Sequence, residues 1–366
     1  MSPSRRLVPW PCEFCVRISR ANFEGCQAAH RGGEPPRDRA TPPARALRRE
    51  HPENRFPHDS LPVTNHFARA GVYSIKREEN RVMTDEQTII EPHIHMLART
   101  TDEYAAMYQA GIRACVEPSF WLGENRRWAE SFWDYFNLIL NFETIRARRA
   151  GIDHYCAIGM NPKESENVAL ADRVIDGMEE YLDHPRCVAL GEIGFNNITP
   201  NEEKALVRQL KMAEERKMPV VLHLPHHQKL KGIRRVLEII RAEGFTASRI
   251  DIDHNVEETI GLALEAGCFA GMTVYPFSKL SPERVSAIVK CHGSKNVIVN
   301  GSADWGVSDP LSLIKVRDRL RADGHSEAVI RDLVFHNANR FYSISPHWKP
   351  DFAMEPIDPA TYQRQP

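Results

Sequence analysis

The chain has 366 residues, 42% of them hydrophobic, enough for a buried core of enzyme size in one large or two smaller domains. No run approaches the ~18 to 20 consecutive apolar residues that span a bilayer, and Pro, Arg and Glu interrupt the first thirty residues, so a membrane span and a secretory signal are both disfavoured and a soluble, cytoplasmic protein is expected. The formal charge of −1 is unevenly spread: residues 1–82 carry 15 basic against 9 acidic side chains, leaving 33 against 40 in the remaining 284, and an acidic body repels a polyanion unless a local basic groove compensates.

Residues 1–82 are rich in Arg and Pro, as in "GGEPPRDRATPPARALRREHPENRFPHDSLP", with no sustained period of 2 or 3.6. Such a composition does not bury enough surface to offset chain entropy, and predicts a disordered extension. Met83 stands shortly before an apolar strand and is read as the natural start, the leader being a mis-assigned upstream extension. Cys12-x-x-Cys15 with Cys26 and His30 imitates a zinc knuckle but lacks the apolar pattern around it. The other five cysteines, Cys115, Cys156, Cys187, Cys268 and Cys291, mostly fall in or beside apolar runs and read as small buried thiols rather than disulfide partners.

From Thr88 onward short apolar runs alternate with longer amphipathic ones. The strand candidates are "TIIEPHIH" (88–95), "GIRACVEP" (111–118), "DHYCAIGM" (153–160), "RCVALGE" (186–192), "MPVVLHL" (218–224), "RIDIDH" (249–254), "GCFAGMT" (267–273) and "NVIVNGS" (296–302). Helices are predicted around 101–110, 125–150, 167–184, 201–217, 231–244, 256–266, 281–291 and 309–335. Strand then helix, repeated through the domain, predicts an α/β fold, a (β/α)8 TIM barrel over residues 83–345, followed by a tail over 346–366. Met107 and Met160 read as core.

In such a barrel the active site forms at the carboxyl ends of the strands. His93 and His95 end the first candidate strand, Glu192 the fourth, His223 the fifth and His254 the sixth, while Asp304 follows the eighth. Any one of them alone is compatible with a core, capping or ion-pair role; their joint placement at five strand ends points to a metal centre. His-x-His in a strand puts both imidazoles on one side. Four His with two carboxylates and no Cys suit Zn²⁺, Mn²⁺ or a similar ion, and two ions rather than one. Around this set, His226, His227, Lys229 and Lys231 are either substrate contacts or solvated loop residues, and Glu117 at the end of the second strand either orients substrate or a ligand His. Trp121, Trp128 and Trp133 form a lid over an apolar substrate or pack their segment on the barrel.

Five motifs then combine: "EPHIH" (91–95), "GEIGF" (191–195), "VVLH" (220–223), "IDH" (252–254) and "GSAD" (301–304), with "NEEKALVRQLKMAEERKMPVVLH" and the closing "HNANRFY" (336–342). Over residues 88–342 the chain resembles the TatD-type metal-dependent hydrolases of the amidohydrolase superfamily. The resemblance implies two divalent ions, with His93, His95 and Asp304 on the more buried one, His223 and His254 on the more open one, Glu192 bridging, and Asp304 taking the proton of the nucleophilic water. A water shared by two ions has its pKa lowered from 15.7 toward ~7, giving a metal-activated hydroxide. The chain departs from the pattern in four places: Glu91 replaces the opening aspartate, Asn196 stands for an aspartate, the stretch after His223, where TatD nucleases usually carry a phosphate-contacting arginine, reads "HLPHHQKL" with Pro225 in it, and Trp305-Gly306 replaces Ser-Pro. The implied activity is hydrolysis of a small-molecule ester, lactone, amide or phosphoester. The alternatives are a TatD-type deoxyribonuclease (exonuclease), a decarboxylase or isomerase of the same superfamily, and a catalytically silent scaffold.

Overall fold

A computed structural model describes residues 87–358 and residue 361; the leader with Met83, its three cysteines and His30 lies outside the described residues. Eight parallel strands follow in sequential order: β1 Ile89–Glu91, β2 Ile112–Pro118, β3 Asp153–Ile158, β4 Cys187–Gly194, β5 Val220–His223, β6 Ile250–Asp253, β7 Phe269–Thr273 and β8 Val297–Asn300. Nearly every strand residue is buried. Side chains fill the cylinder and helices cover its outside, so most strands are apolar on both faces; β6, Ile-Asp-Ile-Asp with both aspartates buried, is the exception. Each fully buried Ile, Leu, Val, Phe or Met contributes roughly 1.5–3 kcal/mol; Met107 and Met160 are among them, and four of the five cysteines are buried free thiols, with Cys291 half-buried.

The first strand is shorter than 88–95. It stops at Glu91 because Pro92 offers no N–H to the ladder. Residues 93–95 nevertheless stay laced to both neighbours: Ile94 N–H donates to Val116 O (3.1 Å), His95 N–H to Ala303 O (2.9 Å), and Ser302 N–H to His93 O (2.7 Å). Among the described residues β1 and β8 share no ladder, so these bonds close the seam of the barrel. The histidine pair is therefore oriented by the seam and not by the period of a strand.

The helices are α1 Thr101–Gln109, α2 Ala129–Asn137, α3 Val168–Asp176, α4 Pro200–Arg216, α5 Lys229–Glu243, α6 Ile260–Glu265, α7 Pro282–His292 and α8 Ser312–Ala322, with shorter turns between them. Thr100 and Thr199 start α1 and α4 with reciprocal capping boxes to Glu103 and Glu202. The long segment after β2 is helical from Ala129 to Arg149 but passes through a π-helical stretch at Leu138–Glu143. The region 309–335 is interrupted at Gly324 and resumes at Glu327.

Residues 346–358 pack on the barrel. Trp348 is buried against Tyr155 and Tyr342 and its Nε1–H donates to Asn339 Oδ1 (2.8 Å). Asp351 N–H donates to Asp153 Oδ2 and His347 Nδ1 meets Cys187 O, at the first residues of β3 and β4, so this segment crosses the amino end of the cylinder, opposite the candidate site. No helix among the described residues is long and apolar enough to cross a membrane.

Candidate metal centre

A cavity of about 290 Å³ opens at the carboxyl ends of the strands, with His95, Glu192, His223, His254 and Asp304 on its wall. Two trios of donor atoms lie within 4.8 Å of one another, His93–His95–Glu192 and Glu192–His223–His254, with Glu192 common to both. Gly194 (φ 139°) permits this approach, since a Cβ there would fall 2.3 Å from the carbonyl oxygen of His223.

Each histidine is held by one nitrogen. His93 Nδ1–H donates to Asp253 Oδ2 (2.7 Å), His223 Nδ1–H to Phe195 O (2.9 Å), and His254 Nδ1–H to Thr273 Oγ1 (2.6 Å), whose hydroxyl passes a hydrogen bond on to Asp253 Oδ1 (3.2 Å). These partners select the tautomer that leaves Nε2 with a lone pair. The Nε2 atoms of His93 and His254 lie 3.7 and 3.1 Å from the same oxygen, Glu192 Oε1, the second within hydrogen-bond reach. His95 bonds the Pro118 backbone and stacks on Phe120 with ring centroids 3.6 Å apart. His93 Nε2 and His95 Nδ1 are buried without a partner among the described residues. Burial pushes the imidazoles of His95, His223 and His254 well below their usual pKa and lifts the Glu192 carboxyl above its own. Neutral nitrogens with outward lone pairs around a carboxylate oxygen repel one another unless a cation stands between them, and that donor set fits a divalent ion.

His254 adopts a left-handed backbone (φ 64°), stabilised by its N–H donating to Asp253 Oδ1 (2.6 Å) and its carbonyl accepting from Lys229 Nζ (2.9 Å). Asp253 is the hub: it holds His93, His254 and Thr273 and accepts from Asn300 Nδ2 (3.0 Å). Burial opposes its charge, but the His93 hydrogen bond and the Lys279 charge outweigh that and keep its carboxyl below the usual range. Glu91, the longer replacement for an aspartate, accepts from Gly301 N–H (3.0 Å) and His93 N–H (3.3 Å), and burial lifts its pKa to about 8. It thus supports the loop of the histidine pair from beneath.

Asp304 stands on the cavity wall but outside both trios. Its Oδ1 accepts from Tyr275 Oη–H and Gly306 N–H, both 2.8 Å, and its carbonyl from Ser308 Oγ–H (2.6 Å) and the Arg99 guanidinium. A Cβ at Gly306 would lie 2.2 Å from the Tyr275 hydroxyl, so a larger residue there would displace that side chain from Asp304.

The remaining expected residues divide. His226 reaches the cavity, its ring centroid 5.6 Å from that of His223, whereas His227 is exposed and off the cavity wall. Lys229 acts through the His254 carbonyl, and Lys231 lies in a separate groove between α4 and α5. Glu117 does not face the mouth: it is fully buried, with Oε2 2.9 Å from His154 Nε2 and Oε1 accepting from Leu97 N–H (2.9 Å). Trp121 lines the cavity under Lys163, Trp128 is exposed, and Trp133 fills the space where Gly177 lacks a Cβ, which makes Trp133 a packing residue and not a lid. Sequence reasoning missed Lys279, Tyr275 and the hub role of Asp253. Asp253 was signalled by its place beside a ligand candidate in "IDH", while Lys279 and Tyr275 sit in a loop without a pattern.

The TatD-related DNase family profile matches residues 91–297. An uncharacterized metal-dependent hydrolase of Methanocaldococcus jannaschii is 27% identical over 262 residues, which cover 70% of this chain and 100% of that protein. A TatD-like protein of Archaeoglobus fulgidus superposes with a TM-score of 0.57 at 23% identity, covering 69% of this chain and 99% of that one. A lactonase of Listeria monocytogenes superposes at 0.53 with 14% identity, covering 71% and 96%, a likeness of fold alone.

Proposed function

The chain belongs to the TatD-related DNase family, a family of metal-dependent hydrolases, and from that premise we propose that it hydrolyses a small-molecule ester, lactone, amide or phosphoester, using two divalent ions held by His93, His95, Glu192, His223, His254 and Asp304. The observation that carries this reading is the convergence of the Nε2 atoms of His93 and His254 on one oxygen of Glu192, each ring pinned from behind. Bound ions would supply Lewis acidity, polarising the electrophilic oxygen and acidifying water.

The chain's own side chains account for the rest. Glu192 bridges the two trios. Asp253, through His93 and Thr273, keeps two imidazoles turned toward it. Asp304 has Oδ1 committed to Tyr275 and Gly306, which leaves Oδ2 to receive the proton that the attacking water gives up. Phe120, stacked on His95, and Trp305 beside it keep that flank of the cavity dry. A volume of about 290 Å³ is at the lower edge of small-molecule sites.

Metal analysis of the full chain after loading with Mn²⁺ or Zn²⁺ tests the reading: about two ions per chain are expected, as in dinuclear hydrolases, and fewer than one removes its basis. A panel of chromogenic esters and lactones then addresses the bond. A deoxyribonuclease is the second reading, favoured by the family's description and by basic side chains at the mouth; cleavage of single-stranded DNA that disappears in His254→Ala would establish it instead.

A further inference from the structure

We propose that the mouth of this cavity is an anion-receiving subsite formed by Lys279, Lys163 and Asn196, so that the substrate carries a carboxylate or phosphate group apart from the bond that is broken. The proposal rests on the hydrolase reading for the words "bond that is broken"; the subsite itself stands on the following geometry.

Lys279 reaches into the cavity from the loop after β7. Its Nζ lies 3.4 Å from Ser302 Oγ and 3.4 and 3.5 Å from the two ring nitrogens of His254, and no carboxylate among the described residues comes within 4.0 Å of it. The nearest acids acting on it, Glu192, Asp253 and Asp304, do so only from a distance. All three are committed elsewhere, Glu192 among the imidazoles, Asp253 to its hydrogen-bonded hub and Asp304 to Tyr275. An ammonium whose direct contacts are long ones to neutral groups keeps donor capacity for an incoming anion.

Two further wall residues match that charge. Lys163 stands over the Trp121 ring, Nζ 3.3 Å from the centroid, and has no carboxylate within 4.0 Å among the described residues. Asn196 lines the same cavity and its side-chain amide makes no hydrogen bond among the described residues. Its loop is held in place because the buried Glu202 carboxylate gathers the backbone N–H groups of Asn196, Asn197 and Ile198 (3.1, 2.8 and 2.7 Å). The amide stands where the resembled pattern has an aspartate, so the wall loses a negative charge and gains an N–H donor. The charged groups that bear on His226 at the rim are Lys279, Lys229, His227 and Lys163, all basic. A local positive field thus opposes the acidic balance of residues 83–366, 33 basic against 40 acidic.

Two arms test the subsite. In the first, kcat/KM of the metal-loaded full chain is measured for p-nitrophenyl propionate and mono-p-nitrophenyl succinate, which share a leaving group and differ by one carboxylate. Charge-assisted hydrogen bonds predict a preference of about tenfold or more for the succinate. That ratio falls to within about twofold of unity in Lys163→Met/Lys279→Met, or in the Gln pair if the Met pair misfolds, and stays unchanged in Lys231→Met, a residue of the separate groove. A wild-type ratio near unity overturns the proposal. In the second arm, quenching of tryptophan fluorescence is titrated with succinate and with inorganic phosphate on the metal-free full chain, which distinguishes a carboxylate from a phosphate group. Saturable quenching by either, weakened about tenfold in the double variant, supports the subsite; saturation by neither overturns it. Binding without turnover of either ester upholds the subsite and counts against ester hydrolysis alone.

Discussion

Glu117–His154 and Glu192–His254 are the same chemical pair at nearly the same separation, 2.9 and 3.1 Å. In the first, every polar atom has a partner: Leu97 N–H takes the other carboxylate oxygen, Thr144 Oγ1 lies 3.1 Å from the other imidazole nitrogen, and both side chains are sealed. One proton between Oε2 and Nε2 satisfies that pair. At Glu192 a single oxygen meets the Nε2 atoms of two histidines, with unpartnered nitrogens on His93 and His95 among the described residues, and one proton cannot serve them all. Residue type therefore does not mark the functional pair; unsatisfied valence facing a cavity does.

The largest test of that contrast is Asp304→Asn. The variant is expected to retain most of its metal, measured by elemental analysis, while turnover of a chromogenic ester falls by about 10²–10⁴, the range of a lost proton acceptor; undiminished turnover removes Asp304 from the chemistry. Glu117→Ala should do the reverse. Losing half of a sealed pair costs about 3–5 kcal/mol, read by urea denaturation, with metal stoichiometry unchanged. Asp253→Asn should keep the fold and weaken metal affinity about 10–100-fold, because the His93 ring loses its anionic anchor; competition with a chelator measures it, and an unaltered affinity would mean the hub is structural only. The smallest effect is that of Thr199→Ala, which removes a capping hydrogen bond of α4 and should lower stability by about 1 kcal/mol, seen as a drop in Tm without change in metal content.

Why the barrel was legible and parts of its site were not follows from the same contrast. Strands buried on both faces mostly announce themselves as apolar runs, and seven of the eight lie within the predicted stretches, with β4 running two residues past its own to Gly194. Helix starts with side-chain caps lie close to the predicted ones, as for α4, predicted from 201 and starting at Pro200, and α7, predicted from 281 and starting at Pro282. Gly324 interrupts a region that periodicity alone read through. The direction of Glu117 depends on the register of β2 in three dimensions, which no local pattern encodes. Asn196 was visible as a departure, but its role depends on Lys279, a residue 83 positions away in a loop with no periodicity. Chemistry assembled from strand ends is readable in order along the chain; chemistry completed by loops is not.

The way the cylinder is fastened has a further consequence. The backbone that carries His93 and His95 is also the clasp of the hoop, joined to Ser302 and Ala303 just before Asp304. Loosening the clasp would splay the first pair of imidazoles away from the acid that follows the last strand, so mechanical integrity and chemical competence share one set of hydrogen bonds. Substitutions at Pro92 or Gly301, which supply no candidate ligand atom themselves, are thereby placed to silence the protein through the backbone.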